Sequence, residues 1–295
     1  MNSFIELHEC GIGAPTSSAS RAPSARRSTS TSPQSIRQIS ILGGHGREGA
    51  PDAIERLDLA MGDVVSVVGR TGSGKTTLIN DIELFADADT PTGRRILING
   101  ERPPEEYRDD PSRNPIALIT QHTTFLSDLP VDEFLHTHAG IRRSAATEIE
   151  ELIKQTLDFA NQLTGEPISL GSRMTELSGG QTRSLLIADA TVICDTPIVL
   201  LDEVENAGIN RSRALELLRG YRKIFIFVTH DPRIALLSDY RLVVRDGRIA
   251  QVLYTDEQER RLAPIVGRLD DVLADLRDRI RAGERISSFD TGGLA

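Results

Sequence analysis

The chain has 295 residues, enough for one large domain or two small ones. Its hydrophobic content of 39% and charged content of 26% are ordinary for a globular protein, and its net charge of -9 argues against a broad nucleic-acid-binding surface. The two cysteines, Cys10 and Cys194, lie far apart and lack metal-ligand spacing, which argues against a zinc or iron–sulfur centre held by this chain alone. No apolar run approaches the roughly 18 residues of a membrane-spanning helix.

Residues 14–35, "APTSSASRAPSARRSTSTSPQS", consist almost entirely of Ser, Ala, Pro, Thr and Arg and contain no acidic residue. A segment with so little apolar surface cannot offset the entropy that it loses on folding. We therefore predict a disordered N-terminal arm over residues 1–35. The composition also fits a transit peptide, but Glu6 and Glu9 precede it, and the same two acids argue against a secretory signal peptide.

From residue 36 onward, apolar runs of strand length alternate with helical stretches. The runs are "DVVSVVG" (63–69), "RRILING" (94–100), "PIALIT" (115–120), "PIVLLD" (197–202) and "KIFIFVTH" (223–230). Asn99-Gly100 is a hairpin-like turn signal, and Asp246-Gly247 predicts a hairpin within residues 240–253. Apolar strands separated by helices predict a largely parallel sheet that is covered on both faces.

A helical seam is predicted near the C-terminus. Its apolar residues follow a spacing of 4, 3, 4, 3, 4 and are Leu262, Val266, Leu269, Leu273, Leu276 and Ile280. This spacing places them on one side of a helix and leaves two interpretations open: a helix packed on its own domain, or a coiled-coil contact with a second chain or partner. We treat residues 255–295 as a helical extension of a domain that spans residues 36–254.

A phosphate-binding loop is predicted at "GRTGSGKTT" (69–77), which matches G-x-x-x-x-G-K-[ST] and lies between a strand and a helical segment. Glycines let backbone N–H groups close around phosphates, and the next helix N-terminus adds positive potential. The predicted nucleotide-binding residues are Gly69, Arg70, Thr71, Gly72, Ser73, Gly74, Lys75, Thr76 and Thr77. We expect Lys75 to reach the β- and γ-phosphates and Thr76 to hold Mg²⁺ through its hydroxyl.

Two carboxylates follow the apolar run "PIVLL" at its end. A strand that ends at Asp202 aims this carboxylate at the Mg²⁺ shell of a nucleotide held by the phosphate-binding loop. Glu203 is then placed to polarise the attacking water. Together with the loop, the pair predicts a nucleoside triphosphatase.

The segment "LSGGQ" (177–181) narrows the class, because it resembles the signature of the ATP-binding cassette (ABC) ATPase family. In that family the signature serine and glycines bind the γ-phosphate of ATP held by the opposite subunit. The resemblance gives this role to Ser178, Gly179, Gly180 and Gln181. Two glycines permit close backbone approach, and a helix predicted to begin there offers N–H groups. The resemblance covers about residues 36–253.

Further positions resemble the family's pattern. Gln121 resembles the glutamine that senses Mg²⁺ and the partner domain, and His230 resembles the switch histidine at the γ-phosphate. Residues 127–135, "SDLPVDEFL", resemble the segment that contacts a transmembrane partner in transporters. The implied fold is α/β, a P-loop NTPase of ABC type with a mainly parallel core sheet, an antiparallel β subdomain and a helical signature subdomain.

The sequence departs from the family at two places. After Glu203 the family usually continues P-T-S-A-L-D, whereas this chain reads "VENAGIN" (204–210) and places Ile209 or Asn210 where the D-loop aspartate is expected. Hydrolysis should survive this change, while coupling between two ATP sites comes into doubt. No aromatic residue occurs from Ile36 to Val68, so adenine stacks on His45, on Arg47 or on neither.

The resemblance implies that ATP, with Mg²⁺, is hydrolysed at a head-to-tail interface between two ABC subunits, identical or different. Transporter subunits are the larger class, so the leading interpretation is an ATP-binding subunit that works with a membrane permease. The alternative is a soluble ABC ATPase that remodels or activates a protein client, including a metalloenzyme. We expect no nucleic-acid partner and a cytoplasmic location, at the inner face of the membrane for a transporter subunit.

Overall fold

Two β-sheets and the helices around them make up the described part of the chain, residues 35–110, 113–125, 127–142, 146–203 and 211–286, in a computed structural model. From residue 36 onward the chain belongs to one unit. The predicted N-terminal arm lies outside the described residues, apart from Ser35.

Nine strands are assigned within the described residues: β1 Gln38–Leu42, β2 Arg56–Ala60, β3 Val64–Val68, β4 Arg95–Ile98, β5 Ile116–Thr120, β6 Ile198–Asp202, β7 Ile224–Val228, β8 Tyr240–Arg245 and β9 Arg248–Tyr254. The α-helices of the same residues are α1 Lys75–Glu83, α2 Glu106–Asp109, α3 Val131–Arg142, α4 Ala146–Leu163, α5 Gly179–Thr191, α6 Arg211–Arg219, α7 Pro232–Leu237 and α8 Glu257–Arg281. A short 3-10 helix, Met174–Glu176, precedes α5.

The larger sheet has the strand order β5-β6-β7-β3-β8-β9. Its first five strands run parallel, and β9 returns antiparallel to β8 through the turn at Asp246 and Gly247. This confirms the largely parallel sheet that the alternating strands and helices predict. The parallel arrangement brings the carboxyl ends of β5, β6, β7 and β3 to one edge, where the candidate site lies.

The smaller sheet is antiparallel, with the order β2-β1-β4, and it is the antiparallel β subdomain that the family resemblance implies. The hairpin-like signal at Asn99-Gly100 does not join two strands of a hairpin. Asn99 has a φ of 52°, and the chain closes a tight turn through the bridge between Ile98 and Glu101, while β4 pairs with β1 instead. The Asn-Gly pair specifies a turn, but the strand partner depends on distant residues.

Two apolar clusters cover the two faces of the larger sheet. Residues alternate along each strand, so that Val199 and Leu201 of β6 belong to one cluster and Ile198 and Leu200 to the other. The first cluster is completed by α3, α4, α5 and α6, and the second by α1 and the smaller sheet. Each face therefore carries a core of its own, which fixes the sheet edge between two packed layers.

The C-terminal helix α8 contacts α7, and its anchor is Ala263, which is 2% exposed. The predicted seam lies largely outside this contact, since Leu262, Leu269, Leu273 and Ile280 are 43% to 58% exposed. In the described residues α8 therefore contacts its own domain, while these four seam side chains stay exposed, and the choice between the two interpretations of the seam stays open. Within those same residues, no helix combines the length and apolar character needed to span a membrane.

Candidate functional site at the carboxyl edge of the parallel sheet

The predicted phosphate-binding loop runs from β3 into α1, as its sequence context requires. Gly74 caps α1 with a φ of 101°, in the left-handed region that disfavours other residues. A Cβ at this position would lie 2.7 Å from the Cα of Gly247, so the position has no room for a side chain. The Gly247 N–H donates to the Ser73 carbonyl at 2.7 Å, so a hydrogen bond joins the turn between β8 and β9 to the phosphate-binding loop.

Lys75 lies at the centre of this loop and is only 6% exposed. Its ammonium donates to the carbonyls of Gly69 at 3.0 Å and Arg70 at 3.3 Å. The ammonium also lies 3.2 Å from Nε2 of His230, the second residue after β7.

Glu203 completes a row of three polar side chains. Its Oε1 lies 3.5 Å from Nε2 of His230, and its N–H donates to the Val228 carbonyl at 3.0 Å. Glu203 has a φ of 50°, an uncommon conformation for a residue with a side chain, and such strain concentrates at functional sites. The structure thus places His230 between Lys75 and Glu203.

Strand register explains why the remaining polar residues gather at the same edge. Thr120 pairs with Asp202, and Asp202 pairs with Val228, so three strands end level with one another. Asp202, the last residue of β6, and Glu203, the next residue, therefore lie at this edge. Gln121, the residue after Thr120, lies at the same edge. The Gln121 side chain is exposed and its nitrogen lies 3.1 Å from Nε2 of His122.

The other residues of the loop leave groups available to a ligand. Thr76 and Thr77 lie exposed in the first turn of α1, and Arg70, Thr71 and Gly72 are also exposed. The Ser73 hydroxyl is buried, and within the described residues it has no hydrogen-bond partner. A buried polar group without a partner is rare in proteins, and a bound ligand is one of its ordinary explanations.

The predicted signature lies at the N-terminus of α5. Ser178 caps this helix by accepting from the Gln181 N–H at 3.3 Å, and Gln181 accepts from the Ser178 N–H at 2.8 Å. The Gln181 amide also donates to the carbonyls of Glu166 and Pro167. Ser178 and Gly179 are exposed, and the hydrogen bonds shown by the signature side chains stay within residues 166–181. The structure does not join the signature to the phosphate-binding loop of the same chain.

A loop at residues 43–52 borders the site through the β8–β9 turn. The Arg47 N–H donates to the Asp246 carbonyl at 2.9 Å. The His45 N–H donates to the Thr92 carbonyl at 2.8 Å, and the His45 side chain is exposed. Both adenine-stacking candidates therefore lie on the loop that touches the turn next to Ser73. The altered D-loop, residues 204–210, lies outside the described residues.

Arg94 is a residue that sequence reasoning missed. Its side chain is fully buried and forms ion pairs with Asp52 at 2.8 Å and with Asp81 at 3.0 Å, and it donates to the Gly247 carbonyl at 2.8 Å. The buried network thus connects the 43–52 loop, α1 and the β8–β9 turn around the phosphate-binding loop. The only sequence signal is an arginine at the start of an apolar strand, which resembles an ordinary surface residue.

Burial by itself raises the pKa of Asp52, but the hydrogen bond and the charge of Arg94 outweigh that effect. Hydrogen bonds from the N–H groups of Gly44 and Ile249 act in the same direction, so the pKa lies below its ordinary value. The pKa of Arg94 is raised, because its two carboxylate partners outweigh the opposing effect of burial. Asp52 and Arg94 are therefore both charged at neutral pH.

Comparison with known proteins adds independent information. The family model described as ABC transporter matches residues 55–206. An uncharacterized ABC transporter ATP-binding protein from Methanocaldococcus jannaschii is 46% identical over 255 residues, which cover 86% of this chain and 97% of that protein.

Two solved structures resemble the fold. CbiO1 from Clostridium perfringens, part of the ABC transporter complex cbiONQ, aligns with a TM-score of 0.58 and 19% identity over 78% of this chain and 93% of that one. A dimeric ATP-binding cassette in a post-hydrolysis state, bound to ADP and Pi, aligns with a TM-score of 0.55 and 21% identity over 74% of this chain and 99% of that one. At these identities the two structures support the fold alone.

Proposed function

Because this chain belongs to the ABC transporter family of ATP-binding proteins, we propose that it is the ATP-hydrolysing subunit of a transporter whose membrane permease is a separate chain. The observation that carries the proposal is the contact row of Lys75, His230 and Glu203 at the carboxyl edge of the parallel sheet. An imidazole that lies between an ammonium and a carboxylate beside a phosphate-binding loop fits the hydrolysis of a terminal phosphate.

The triphosphate of ATP binds in the loop of residues 69–77 in this proposal. The α1 N-terminus directs its N–H groups and its positive potential at the phosphates. Lys75 exchanges its contacts with the loop carbonyls for the β- and γ-phosphate oxygens, and Ser73 provides its buried hydroxyl, which has no hydrogen-bond partner among the described residues. The adenine ring stacks on His45 or on the Arg47 guanidinium, which border the loop across the β8–β9 turn.

Mg²⁺ fits the same edge. The exposed Thr76 hydroxyl, the Asp202 carboxylate and the Gln121 amide oxygen are hard oxygen donors, the kind of ligand that Mg²⁺ prefers. An ion held by these residues would neutralise charge on the β- and γ-phosphates. The strand register that sets Thr120 against Asp202 supports this set of ligands.

In the reaction, Glu203 polarises a water molecule and accepts its proton as the water oxygen attacks the γ-phosphorus. The bond between the γ-phosphorus and the bridging oxygen breaks, and ADP and phosphate form. Lys75 and His230 contact the γ-phosphate oxygens and stabilise the charge that develops on them. The contact between His230 and Glu203 holds the carboxylate towards the position of this water.

The site is completed by a second ABC subunit, arranged head to tail. Ser178, Gly179, Gly180 and Gln181 would meet the γ-phosphate held by the opposite subunit. The exposure of Ser178 and Gly179, and side-chain hydrogen bonds that stay within residues 166–181, support this arrangement. The altered D-loop would weaken the coupling between the two sites without removing hydrolysis.

The permease would dock on residues 127–135, next to Gln121, with the subunit at the cytoplasmic face of the membrane. Asp128 accepts from Arg173 at 2.8 Å and also from Thr175, so this segment is tied to the turn that leads into the signature. The Val131 N–H donates to the Ser172 carbonyl at 2.9 Å and adds a second link. A permease that moves this segment would thereby move the signature. Residues 36–254 would act as the ATPase domain, with residues 1–35 and 255–295 as arm and extension.

Affinity capture of the native chain from separate membrane and soluble fractions tests the proposal. We expect an integral membrane protein to co-purify in detergent and to raise ATP turnover. Asp132→Lys, on the proposed docking segment, should reduce this stimulation, whereas Asp158→Lys, an exposed acid of α4, should leave it unchanged. Recovery only in the soluble fraction, with turnover that responds to a soluble protein client, would overturn the proposal.

A further inference from the structure

Three side chains that are distant in sequence meet at one point away from the nucleotide site. His138 belongs to α3, Asp189 to the last turn of α5, and Cys194 to the segment that leads from α5 to β6. One potential metal-binding atom from each of the three lies within 4.8 Å of the others. The Cys194 N–H donates to the Asp189 carbonyl at 2.9 Å, which fixes the thiol beside the carboxylate.

The distances within this cluster are close to those of a metal centre. Sγ of Cys194 lies 3.9 Å from Nε2 of His138 and 3.7 Å from Oδ2 of Asp189. A tetrahedral zinc ion holds a thiolate sulfur and an imidazole nitrogen about 3.6 Å apart, given its usual bond lengths. Shifts of a few tenths of an ångström would therefore suffice for both atoms to reach one ion.

The orientation of the imidazole is also that of a metal ligand. Nδ1 of His138 lies 2.9 Å from Oδ1 of Asp189, so the Nδ1–H donates to the carboxylate and the Nε2 lone pair remains on the side of the sulfur. Metal-binding histidines usually donate their second N–H to a carboxylate or a carbonyl in this way. The Phe134 ring, 5.7 Å from the imidazole ring, packs beside it.

Burial shields the cluster while leaving an entrance. The Asp189 side chain is 10% exposed and that of His138 is 25% exposed, so an ion can enter past the imidazole. A thiolate and an imidazole suit zinc, since Zn²⁺ accepts sulfur and nitrogen ligands, whereas Mg²⁺ and Ca²⁺ prefer oxygen alone.

We propose that Nε2 of His138 and Sγ of Cys194 bind one zinc ion, with water in the remaining positions, while Asp189 orients the imidazole from its Nδ1 side. On binding, the Cys194 thiol releases its proton to solvent and coordinates as a thiolate. The cysteine spacing in the sequence argues against a zinc centre because spacing reports only ligands that are close in sequence, whereas His138 of α3 meets Cys194 only in the folded chain.

The position of the site suggests what it would do. Helix α5 begins at the signature and carries Asp189 in its last turn, Cys194 follows the helix, and α3 begins within the proposed docking segment. An ion bound by His138 and Cys194 would fix α3 against the end of α5. Zinc would thus stiffen the connection between the permease-facing helix and the helix that carries the signature, independently of the Mg²⁺ of the ATP site.

Cobalt titration of the purified full chain without nucleotide tests the site. A thiolate bound to Co²⁺ gives an intense sulfur-to-metal absorption band in the near ultraviolet, which oxygen ligands at the ATP site do not give. We expect this band to saturate at one Co²⁺ per chain and to be reversed by Zn²⁺. Cys194→Ser should abolish it, and His138→Gln should lower the affinity at least about 100-fold, since loss of even an outer-shell partner costs 10–100-fold.

Cys10→Ser is the matched control, because it removes the other cysteine of the chain and should leave the band intact. A second measurement needs no variant: Zn²⁺ at one equivalent should slow alkylation of Cys194 in the folded chain at least about tenfold, as followed by mass spectrometry. A wild-type chain without the band, a band that persists in Cys194→Ser, or an alkylation rate unaffected by Zn²⁺ would overturn the proposal and leave a triad held by hydrogen bonds alone.

Discussion

At the residue scale, Glu203 combines a strained backbone with a directed side chain. Its φ of 50° costs a residue with a side chain roughly 1–3 kcal/mol, which the surrounding structure must offset. The hydrogen bond to Val228 holds the backbone, and the strained turn directs the carboxylate to His230 rather than along the strand. The strain is thus consistent with a carboxylate that must meet a water molecule at a fixed position.

Replacing Glu203 by Gln keeps the size of the side chain and removes its ability to accept a proton. We expect ATP turnover to fall by about 10² or more, the usual scale for losing a general base, while ATP binding persists. Glu101→Gln, an exposed acid in the turn after β4, is the control and should hydrolyse ATP at the wild-type rate. Wild-type turnover in Glu203→Gln would show that the proton goes elsewhere.

Sequence predicts the site residues whose signals are local and misses those assembled at a distance. The glycines and Lys75 of the phosphate-binding loop can be recognised from the sequence because one short segment must adopt one particular backbone conformation. The signature is equally local, since its helix cap involves residues three apart. By contrast, Arg94 and Gly247 act on the loop only because the fold brings them there, and no local pattern could reveal that.

At the scale of elements, the β8–β9 turn and the buried Arg94 network hold the phosphate-binding loop in place. Sequence predicts both the strands and the turn, since apolar runs and Asp-Gly are strong signals. It does not predict that the turn packs on Gly74, nor that β4 pairs with β1 rather than forming a hairpin. Pairing and packing depend on residues far apart in the chain, whereas propensity and turn type are set within a few residues.

The buried network predicts that replacing two adjacent arginines, Arg94 and Arg95, will change the free energy of unfolding by very different amounts. Arg94→Met would leave Asp52 and Asp81 buried without their cationic partner, and breaking a buried pair in this way costs about 3–5 kcal/mol. Arg95→Met removes an arginine that is 57% exposed and should change the free energy of unfolding by less than about 0.5 kcal/mol. Urea unfolding of both variants measures this, and equal effects would refute a structural role for the network.

Acid should weaken the same network. Because the pKa of Asp52 is lowered in the folded protein, its stabilising contribution is complete above the unfolded value of about 3.9 and is lost as pH falls through the folded value. At pH 7, Asp52→Asn should be less stable than wild type by at least about 1 kcal/mol. We expect this difference to narrow below about pH 4 in urea unfolding curves, and a gap that stays constant to pH 3 would contradict the assignment.

At the scale of the whole molecule, one chain offers the two halves of an ATP site in separate places. The phosphate-binding loop, His230 and Glu203 lie at the sheet edge, while Ser178 and Gly179 are exposed at the N-terminus of α5 with contacts of their own. The family resemblance predicts this separation, since it assigns the signature to the opposite subunit's ATP. A head-to-tail pair of chains would bring each signature to the other chain's γ-phosphate.

The measurement that tests this account most directly is the molar mass of the Glu203→Gln variant by light scattering, with and without saturating ATP and Mg²⁺. Slow hydrolysis should trap the ATP-bound pair, so the mass should rise from 32.3 kDa to twice that value, about 65 kDa. Adding Ser178→Arg, which places a bulky side chain at the shared site, should keep the chain monomeric. A Glu203→Gln chain that remains at 32.3 kDa in saturating ATP at micromolar concentration would contradict a site shared between two copies.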